Sequence, residues 1–217
     1  MKIKVLKDIS SANDAIAAGN KQLLSRQGVT AVNIMSSPGS GKTSLILKTI
    51  EKLRKKIRLA VIEGDIASNV DAQKIDKEGI PVIQINTGGS CSLEAHMVSS
   101  ALGKFKLKEI DILIIENVGN LICPAENALG EDLKVVIASL PEGDDKPIKY
   151  PLIFSRVDAV IINKIDLAPY VDFSIKKFRR VVEGLNPDVA IFEVSCKTGR
   201  GIDEWAEWLQ GRVKQCQ

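Results

Sequence analysis

The chain has 217 residues and a mass of 23.6 kDa, with 45% hydrophobic and 26% charged residues. These values exclude a disordered chain and predict a single folded domain over residues 1–217. The net charge of +3 and the 4% of aromatic residues give no basic stripe or stacking surface, which argues against nucleic acid as a partner.

The sequence also argues against a membrane partner. No apolar run approaches the roughly 20 residues that a membrane-spanning helix needs. The first residues, MKIKV, are not followed by the apolar segment of a secretory signal. We therefore expect a cytoplasmic protein whose four cysteines are free thiols.

Short apolar, β-branched runs alternate with amphipathic stretches along the chain. The predicted strands are 29–35, 57–62, 81–85, 110–115, 134–138, 159–162 and 189–194. The predicted helices are 12–26, 44–55, 69–77, 93–105, 174–185 and 202–213. This alternation predicts an α/β fold: a doubly wound, mostly parallel sheet with helices on both faces and an N-terminal helix at about 10–27. The proline- and charge-rich segment 140–151 predicts an irregular loop.

A phosphate-binding loop follows the first predicted strand. Residues 36–43 read SSPGSGKT, which is the P-loop pattern with Ser36 in place of the usual first glycine. Small residues let successive backbone N–H groups surround a phosphate at a helix N-terminus. Lys42 is expected to reach the β- and γ-phosphates, and the Thr43 hydroxyl to bind Mg²⁺. The predicted phosphate-contacting residues are Pro38, Gly39, Ser40, Gly41, Lys42, Thr43 and Ser44.

Two further loops predict recognition of guanine. Residues 163–166 read NKID, and the Asp166 carboxylate can accept both N1–H and N2–H of guanine. Adenine would instead present a lone pair at N1, which disfavours ATP. Residues 195–197 read SCK and are similar to the GTPase loop that donates backbone N–H to guanine O6. The predicted residues for GTP or GDP are Asn163, Lys164, Asp166, Ser195, Cys196 and Lys197.

Acidic residues follow two other predicted strands at the same edge of the sheet. Residues 63–65 read EGD and residues 116–119 read ENVG. Glu116 and Gly119 stand where many GTPases carry D-x-x-G, so the Gly119 amide can meet a γ-phosphate. Asp65 can bind Mg²⁺ or orient the attacking water. We predict Lys42, Thr43, Asp65 and Glu116 as catalytic residues, with the last three as Mg²⁺ ligands, and a slow intrinsic turnover.

Sulfur and imidazole groups follow strands at that edge as well. Cys91, Cys123 and the only histidine, His96, are candidate ligands for Ni²⁺ or Zn²⁺. One chain offers too few ligands for a closed site, so a two-fold dimer sharing both cysteines would supply four sulfurs. Without C-x-x-C spacing, cysteines buried for structural reasons remain the alternative.

Taken together in chain order, these motifs closely resemble the hydrogenase nickel-incorporation GTPases. The resemblance covers nearly all of the chain from about residue 13. It rests on the P-loop, EGD at 63–65, CSLEAH at 91–96, ENVGNLICP at 116–124, EGDDKPIKYP at 142–151 and NKID at 163–166.

The resemblance implies a P-loop GTPase of the SIMIBI class that dimerises with GTP and helps to insert nickel into [NiFe]-hydrogenase. Its implied partners are a second copy of the chain, the small zinc-containing nickel chaperone of the pathway and, indirectly, the hydrogenase large-subunit precursor. The implied metal ligands are Cys91, Cys123 and His96. Ser92 replaces the histidine that typical members carry after the first cysteine, and Lys146 or Lys149 would reach across the dimer.

Three other functions are compatible with parts of the pattern. A urease-accessory nickel GTPase belongs to the same class, although its N-terminal histidine features are not recognisable. A GTP-dependent switch without a metal role would pack its cysteines in the core. A partition-type ATPase would share the fold but not the NKID motif.

Overall fold

The computed structural model describes residues 9–66 and 69–213, with side chains from residue 12 onward. A seven-stranded sheet forms the centre, all of its strands are parallel, and their order is β3-β2-β4-β1-β5-β6-β7. The strands are β1 (Thr30–Ser36), β2 (Leu59–Asp65), β3 (Val82–Asn86), β4 (Ile112–Gly119), β5 (Leu133–Ser139), β6 (Ala159–Asn163) and β7 (Ala190–Glu193).

Among the described residues, one helix precedes the first strand, one follows the last, and the others lie in the connections between strands. The helices are α1 (Ile9–Arg26), α2 (Lys42–Leu53), α3 (Val70–Asp76), α4 (Ala95–Leu102), α5 (Cys123–Glu126), α6 (Lys146–Lys149), α7 (Pro151–Phe154), α8 (Ile175–Leu185) and α9 (Ile202–Gln210). None of the described helices is long and apolar enough to cross a membrane.

Both faces of the sheet are covered because successive strand residues point to opposite sides. On one side, Val32 and Ile34 of β1 share an apolar cluster with α2 and α9. On the other side, Ala31 packs with α1 and α4, and Met35 packs with α7 and α8. The predicted doubly wound α/β architecture is therefore confirmed, and all crossovers bring the loops after the strands to one edge.

The predicted strands are all present, but two of them continue at least three residues past the end that the apolar pattern indicates. β2 runs to Asp65 and β4 to Gly119, because Glu63 still pairs with Glu116 in the register of the sheet. The two acidic motifs therefore form the last residues of β2 and β4, where the hydrogen bonds between the strands fix their backbone.

The prediction of an irregular loop over residues 140–151 is wrong. A 3-10 turn (Leu140–Glu142) is followed by the short helices α6 and α7. Ser139 and Glu142 form a capping box at the first turn, and a proline stands in the first positions of each of the three short helical segments. The prolines that suggested a loop therefore begin helices instead.

Candidate nucleotide site and the adjoining cysteine pair

The P-loop joins β1 to the first turn of α2. Gly41 has a φ of 101°, and a Cβ placed on it would lie 2.5 Å from Asn163 Nδ2, so a side chain is excluded at this position. The Asn163 amide occupies that space in order to donate to the Ser40 carbonyl at 2.9 Å. The Asn163 side chain thus fixes the backbone of the P-loop at Ser40 and Gly41.

Lys42 and Thr43 lie at the start of α2 and point toward the acidic strand ends. Lys42 Nζ donates to Ser36 Oγ at 3.1 Å, and Thr43 Oγ1 donates to Glu116 Oε1 at 2.9 Å. Burial lowers the pKa of Lys42, and the charge of Glu116 opposes that shift. Both predicted residues therefore lie at the P-loop, and their polar groups contact side chains of β1 and β4.

Glu142 is a P-loop contact that the sequence did not predict. Its Oε2 atom accepts from Ser40 Oγ at 2.7 Å and from the Ser139 N–H and hydroxyl, both at 2.8 Å. Burial opposes ionisation, but these hydrogen bonds outweigh it and hold the pKa of Glu142 below its usual range. The S-x-x-E spacing of Ser139 and Glu142 was the signal available in the sequence.

Three carboxylates converge beside Lys42. Glu63, Asp71 and Glu116 each place an oxygen within 4.8 Å of the other two, and the first and last are almost fully buried. Glu63 Oε2 and Glu116 Oε2 are buried without a hydrogen-bond partner. Burial raises the pKa of Glu63 to about 8 and that of Glu116 to about 7. Hard oxygen donors lacking a partner fit a small divalent cation such as Mg²⁺.

The composition of this group differs in part from the predicted magnesium ligands. Glu116 and the adjacent Thr43 hydroxyl are in place, whereas the described carboxylate group contains Glu63 and Asp71 and not Asp65. Asp65 Oδ1 instead accepts from the Ile66 N–H at 2.5 Å. Asp71 was missed because it lies at the start of α3, outside any strand end, and only the packing of α3 brings it to β2.

The raised pKa of Glu63 predicts a pH-dependent stability. The folded chain keeps a proton on Glu63 up to about pH 8, whereas the unfolded chain releases it near pH 4.5, so folding stability falls as the pH rises between these values. Without divalent cations we expect a loss on the order of 3 kcal/mol in urea unfolding between pH 5 and pH 9. Excess Mg²⁺ should reduce this loss. The matched Glu63→Gln variant should show a flatter profile, and an unchanged profile would contradict the assignment.

A cavity of about 430 Å³ opens next to the P-loop. Asp166 lines it, and its Oδ1 atom accepts from Ser195 Oγ at 2.6 Å. Lys164 has a φ of 61°, and its Nζ atom donates to the Gly39 carbonyl at 2.7 Å. The lining residues are Gly41, Ser44, Asn163, Lys164, Asp166, Leu167, Cys196 and Lys197.

The two predicted base-binding loops therefore meet at one cavity. Asn163 Oδ1 accepts from the Lys164 N–H at 2.8 Å and from the Cys196 N–H at 3.4 Å, which ties the loops together. Burial raises the pKa of the Cys196 thiol to about 11, so this group lines the cavity as a neutral thiol. The arrangement places the Asp166 carboxylate in the wall of the cavity, between the two loops.

Cys91 and Cys123 lie at the same edge of the sheet as Lys42. Cys91 follows β3, Cys123 begins α5 after β4, and the two form a disulfide with a Cα–Cα distance of 6.3 Å. This pairing differs from the expectation of free thiols, because the fold brings together two residues separated by 32 positions. The Asn120 amide also donates to the Cys91 carbonyl at 3.2 Å.

The third predicted ligand, the imidazole of His96, is not grouped with the two sulfur atoms in the structure. His96 is exposed, and its Nδ1 atom lies 3.3 Å from Glu94 Oε2. Within the described ranges, the group of acidic, histidine and cysteine ligands that could hold a metal is the carboxylate group and not His96 with the cysteines. Ser92 is buried, and its hydroxyl accepts from Asn127 Nδ2 at 2.9 Å.

Comparison with known proteins identifies the family. The model of the CobW/HypB/UreG nucleotide-binding domain matches residues 30–193. A probable hydrogenase maturation factor HypB of Methanocaldococcus jannaschii is 44% identical over 213 residues, which cover 98% of this chain and 96% of that protein.

Solved structures agree with the sequence match. The crystal structure of HypB from Archaeoglobus fulgidus has a TM-score of 0.87 at 41% identity, covering 93% of this chain and 98% of that one. HypB from Helicobacter pylori in complex with nickel has a TM-score of 0.88 at 36% identity, covering 95% and 99%. The resemblance seen in the sequence is thereby confirmed, and the chain belongs to the HypB family of hydrogenase maturation factors, within the wider CobW/HypB/UreG family.

Proposed function

We propose that this chain binds and hydrolyses GTP, forms a homodimer in the GTP-bound state, and delivers nickel during maturation of [NiFe]-hydrogenase. The observation that carries the proposal is the shared location of three features. The P-loop, the base cavity and the cysteine pair all lie at the carboxyl edge of one sheet. β4 connects two of them directly, since it carries Glu116 and leads into Cys123.

The nucleotide part of the proposal assigns a role to each group at this edge. The P-loop N–H groups and Lys42 bind the phosphates, and Asp166 binds the guanine edge. Thr43, Glu116, Glu63 and Asp71 would hold Mg²⁺, which supplies positive charge to the phosphate oxygens. Asp65, at the end of β2, is assigned to orienting the attacking water.

The metal part requires the cysteines in their reduced form. A disulfide has no thiolate to donate, so Cys91 and Cys123 bind Ni²⁺ or Zn²⁺ only after a dithiol reductant has opened the bond. Two chains then supply four sulfurs. The nickel complex of the Helicobacter pylori relative supports nickel as the cargo. The small zinc-containing nickel chaperone would supply the metal, and the hydrogenase large-subunit precursor would receive it.

A titration of the reduced chain tests the proposal. Ni²⁺ and Zn²⁺ are added to the free chain and to the chain with a non-hydrolysable GTP analogue, while light scattering follows the mass. We expect the 23.6 kDa chain to double in mass with the analogue and to bind one Ni²⁺ per two chains. The Cys123→Ala variant should lose this nickel while keeping the nucleotide. Unchanged nickel affinity in that variant would defeat the metal assignment.

The disulfide itself favours a second candidate, a GTP-dependent switch without a metal role. In that case the pair fastens the segment after β3 to the segment after β4 and needs no metal. The same titration separates the two functions. Reduced protein that dimerises with the analogue but binds no nickel would support the switch.

A further inference from the structure

A buried amide lies directly beside the nucleotide-facing carboxylate. Asn117 follows Glu116 on β4 and is fully buried. Its Oδ1 atom accepts from the Leu93 N–H at 3.0 Å and from the Val118 N–H at 2.9 Å, and its Nδ2 atom donates to Asn33 Oδ1 at 3.2 Å. All three contacts fix the orientation of the amide, because reversing it would place like groups against each other.

Leu93 connects this amide to the cysteine segment. It is fully buried and stands two residues after Cys91. Its side chain lies against Gly64, where an added Cβ would come within 2.7 Å of Leu93 Cγ. Leu93 therefore contacts β4 through its N–H and β2 through its side chain, and these are the two strands that carry Glu116 and Glu63.

The two cysteines differ in how they connect to the nucleotide site. Cys123 lies on the continuation of β4, a few residues after Gly119. Cys91 follows β3, which is the edge strand of the sheet and pairs only with β2 among the strands described. A displacement of β4 therefore reaches Cys123 along the backbone. It reaches the Cys91 segment through side chains, from Asn117 to the Leu93 N–H and from Asn120 to the Cys91 carbonyl.

Polar side chains that continue from Asn117 also bind the segment after α5. Asn33 Nδ2 donates to Glu131 Oε1 at 3.4 Å, and Glu131 Oε2 accepts from the Leu129 N–H at 2.7 Å. Asn20 of α1 donates to the carbonyls of Ala95 at 2.9 Å and Leu129 at 3.0 Å. These contacts tie the ends of both cysteine segments to α1 through the Ala95 and Leu129 carbonyls.

We propose that Asn117 is a positioning residue that transmits the state of the nucleotide site to Cys91. The inference rests on the proposed function and adds a residue and a route to it. The Thr43 hydroxyl donates to Glu116 in this structure. When a bound nucleotide and its cation take that hydroxyl, Glu116 loses the bond and β4 readjusts at this point. Asn117, as the next residue, carries the change to the Leu93 N–H and so to Cys91.

The Asn117→Ser variant tests this route, because its shorter side chain cannot reach the Leu93 N–H. The measurement is the nickel dissociation constant of the reduced chain with GDP and with a non-hydrolysable GTP analogue. We expect the ratio of the two constants to be at least about tenfold in the wild type and at least about threefold smaller in the variant, where the backbone route from β4 to Cys123 remains. The variant should bind the analogue itself within about threefold of the wild type, which a general loss of structure would not allow.

Asn186→Ser is the matched control. The Asn186 amide also donates to backbone carbonyls, of Val157 at 2.7 Å and Phe154 at 3.5 Å, but at the opposite edge of the sheet. This variant should keep the wild-type ratio. A wild-type ratio in Asn117→Ser would overturn the inference and leave the proposed function standing. A ratio of one in the wild type, or no nickel binding at all, would instead overturn the proposed coupling of nucleotide and metal.

Hydrogen exchange in the wild-type chain provides a second measurement that needs no variant. The Leu93 amide is protected by Asn117 in the structure. We expect the peptide containing residues 91–94 to exchange at different rates with GDP and with the GTP analogue. Equal rates in the two states would overturn the inference even if the Asn117→Ser variant fails to fold.

Discussion

Replacing Lys42 by alanine is expected to lower GTP hydrolysis at least a hundredfold, on the order of 3 kcal/mol of transition-state stabilisation. Lys42 Nζ lies at the P-loop, 3.1 Å from Ser36 Oγ, and is the cation facing the converging carboxylates. Its removal takes away charge that the phosphate oxygens need. It also removes the positive charge of Lys42 from beside Glu63 and Glu116, which raises their pKa values further.

Single-turnover hydrolysis and nucleotide titration measure the two consequences separately. Lys48→Ala is the matched control, because Lys48 stands on the same helix and its Nζ forms a surface ion pair with Glu51 at 2.6 Å. Such surface pairs contribute roughly 1 kcal/mol or less, so this variant should hydrolyse GTP at nearly the wild-type rate. Equal hydrolysis rates for the wild type and Lys42→Ala would show that the P-loop takes no part in the proposed reaction.

Replacing Asp166 by asparagine is expected to weaken GTP binding by about a hundredfold and to strengthen binding of xanthosine triphosphate. The carboxylate edge of Asp166 lines the base cavity, and Ser195 Oγ holds its Oδ1 atom at 2.6 Å. Guanine donates two hydrogens to a carboxylate, whereas an amide can accept only one and turns a donor toward the other. Xanthine carries an oxygen in place of the amino group and suits that donor.

Competition binding with GTP, ATP and xanthosine triphosphate checks this reversal. Asp172→Asn provides the control, since Asp172 is exposed on the same connection but outside the residues that line the cavity. An Asp166→Asn variant that loses GTP binding without stronger binding of xanthosine triphosphate would indicate a structural defect. Unchanged preference for GTP would mean that another group reads the base.

Features that depend on neighbouring residues in the chain were predictable from the sequence. Strands were recognised because β-branched apolar runs suit a sheet buried on both faces. The P-loop and the NKID motif were recognised because each contains its functional groups within a few residues. The longer β2 and β4 were missed, since polar residues end the apolar pattern while the hydrogen-bonded ladder continues through Glu63 and Glu116.

The amino-acid sequence by itself determined the α/β class, the positions of the P-loop and NKID motifs, and the edge of the sheet where they meet. The tertiary structure alone decided which distant side chains share that edge. Asp71 joins two strand-end glutamates, Glu142 reaches the P-loop, Asn117 holds Leu93, and Cys91 pairs with Cys123. The physical reason is that these contacts depend on the order of the strands and the packing of helices between them, which no local spacing encodes.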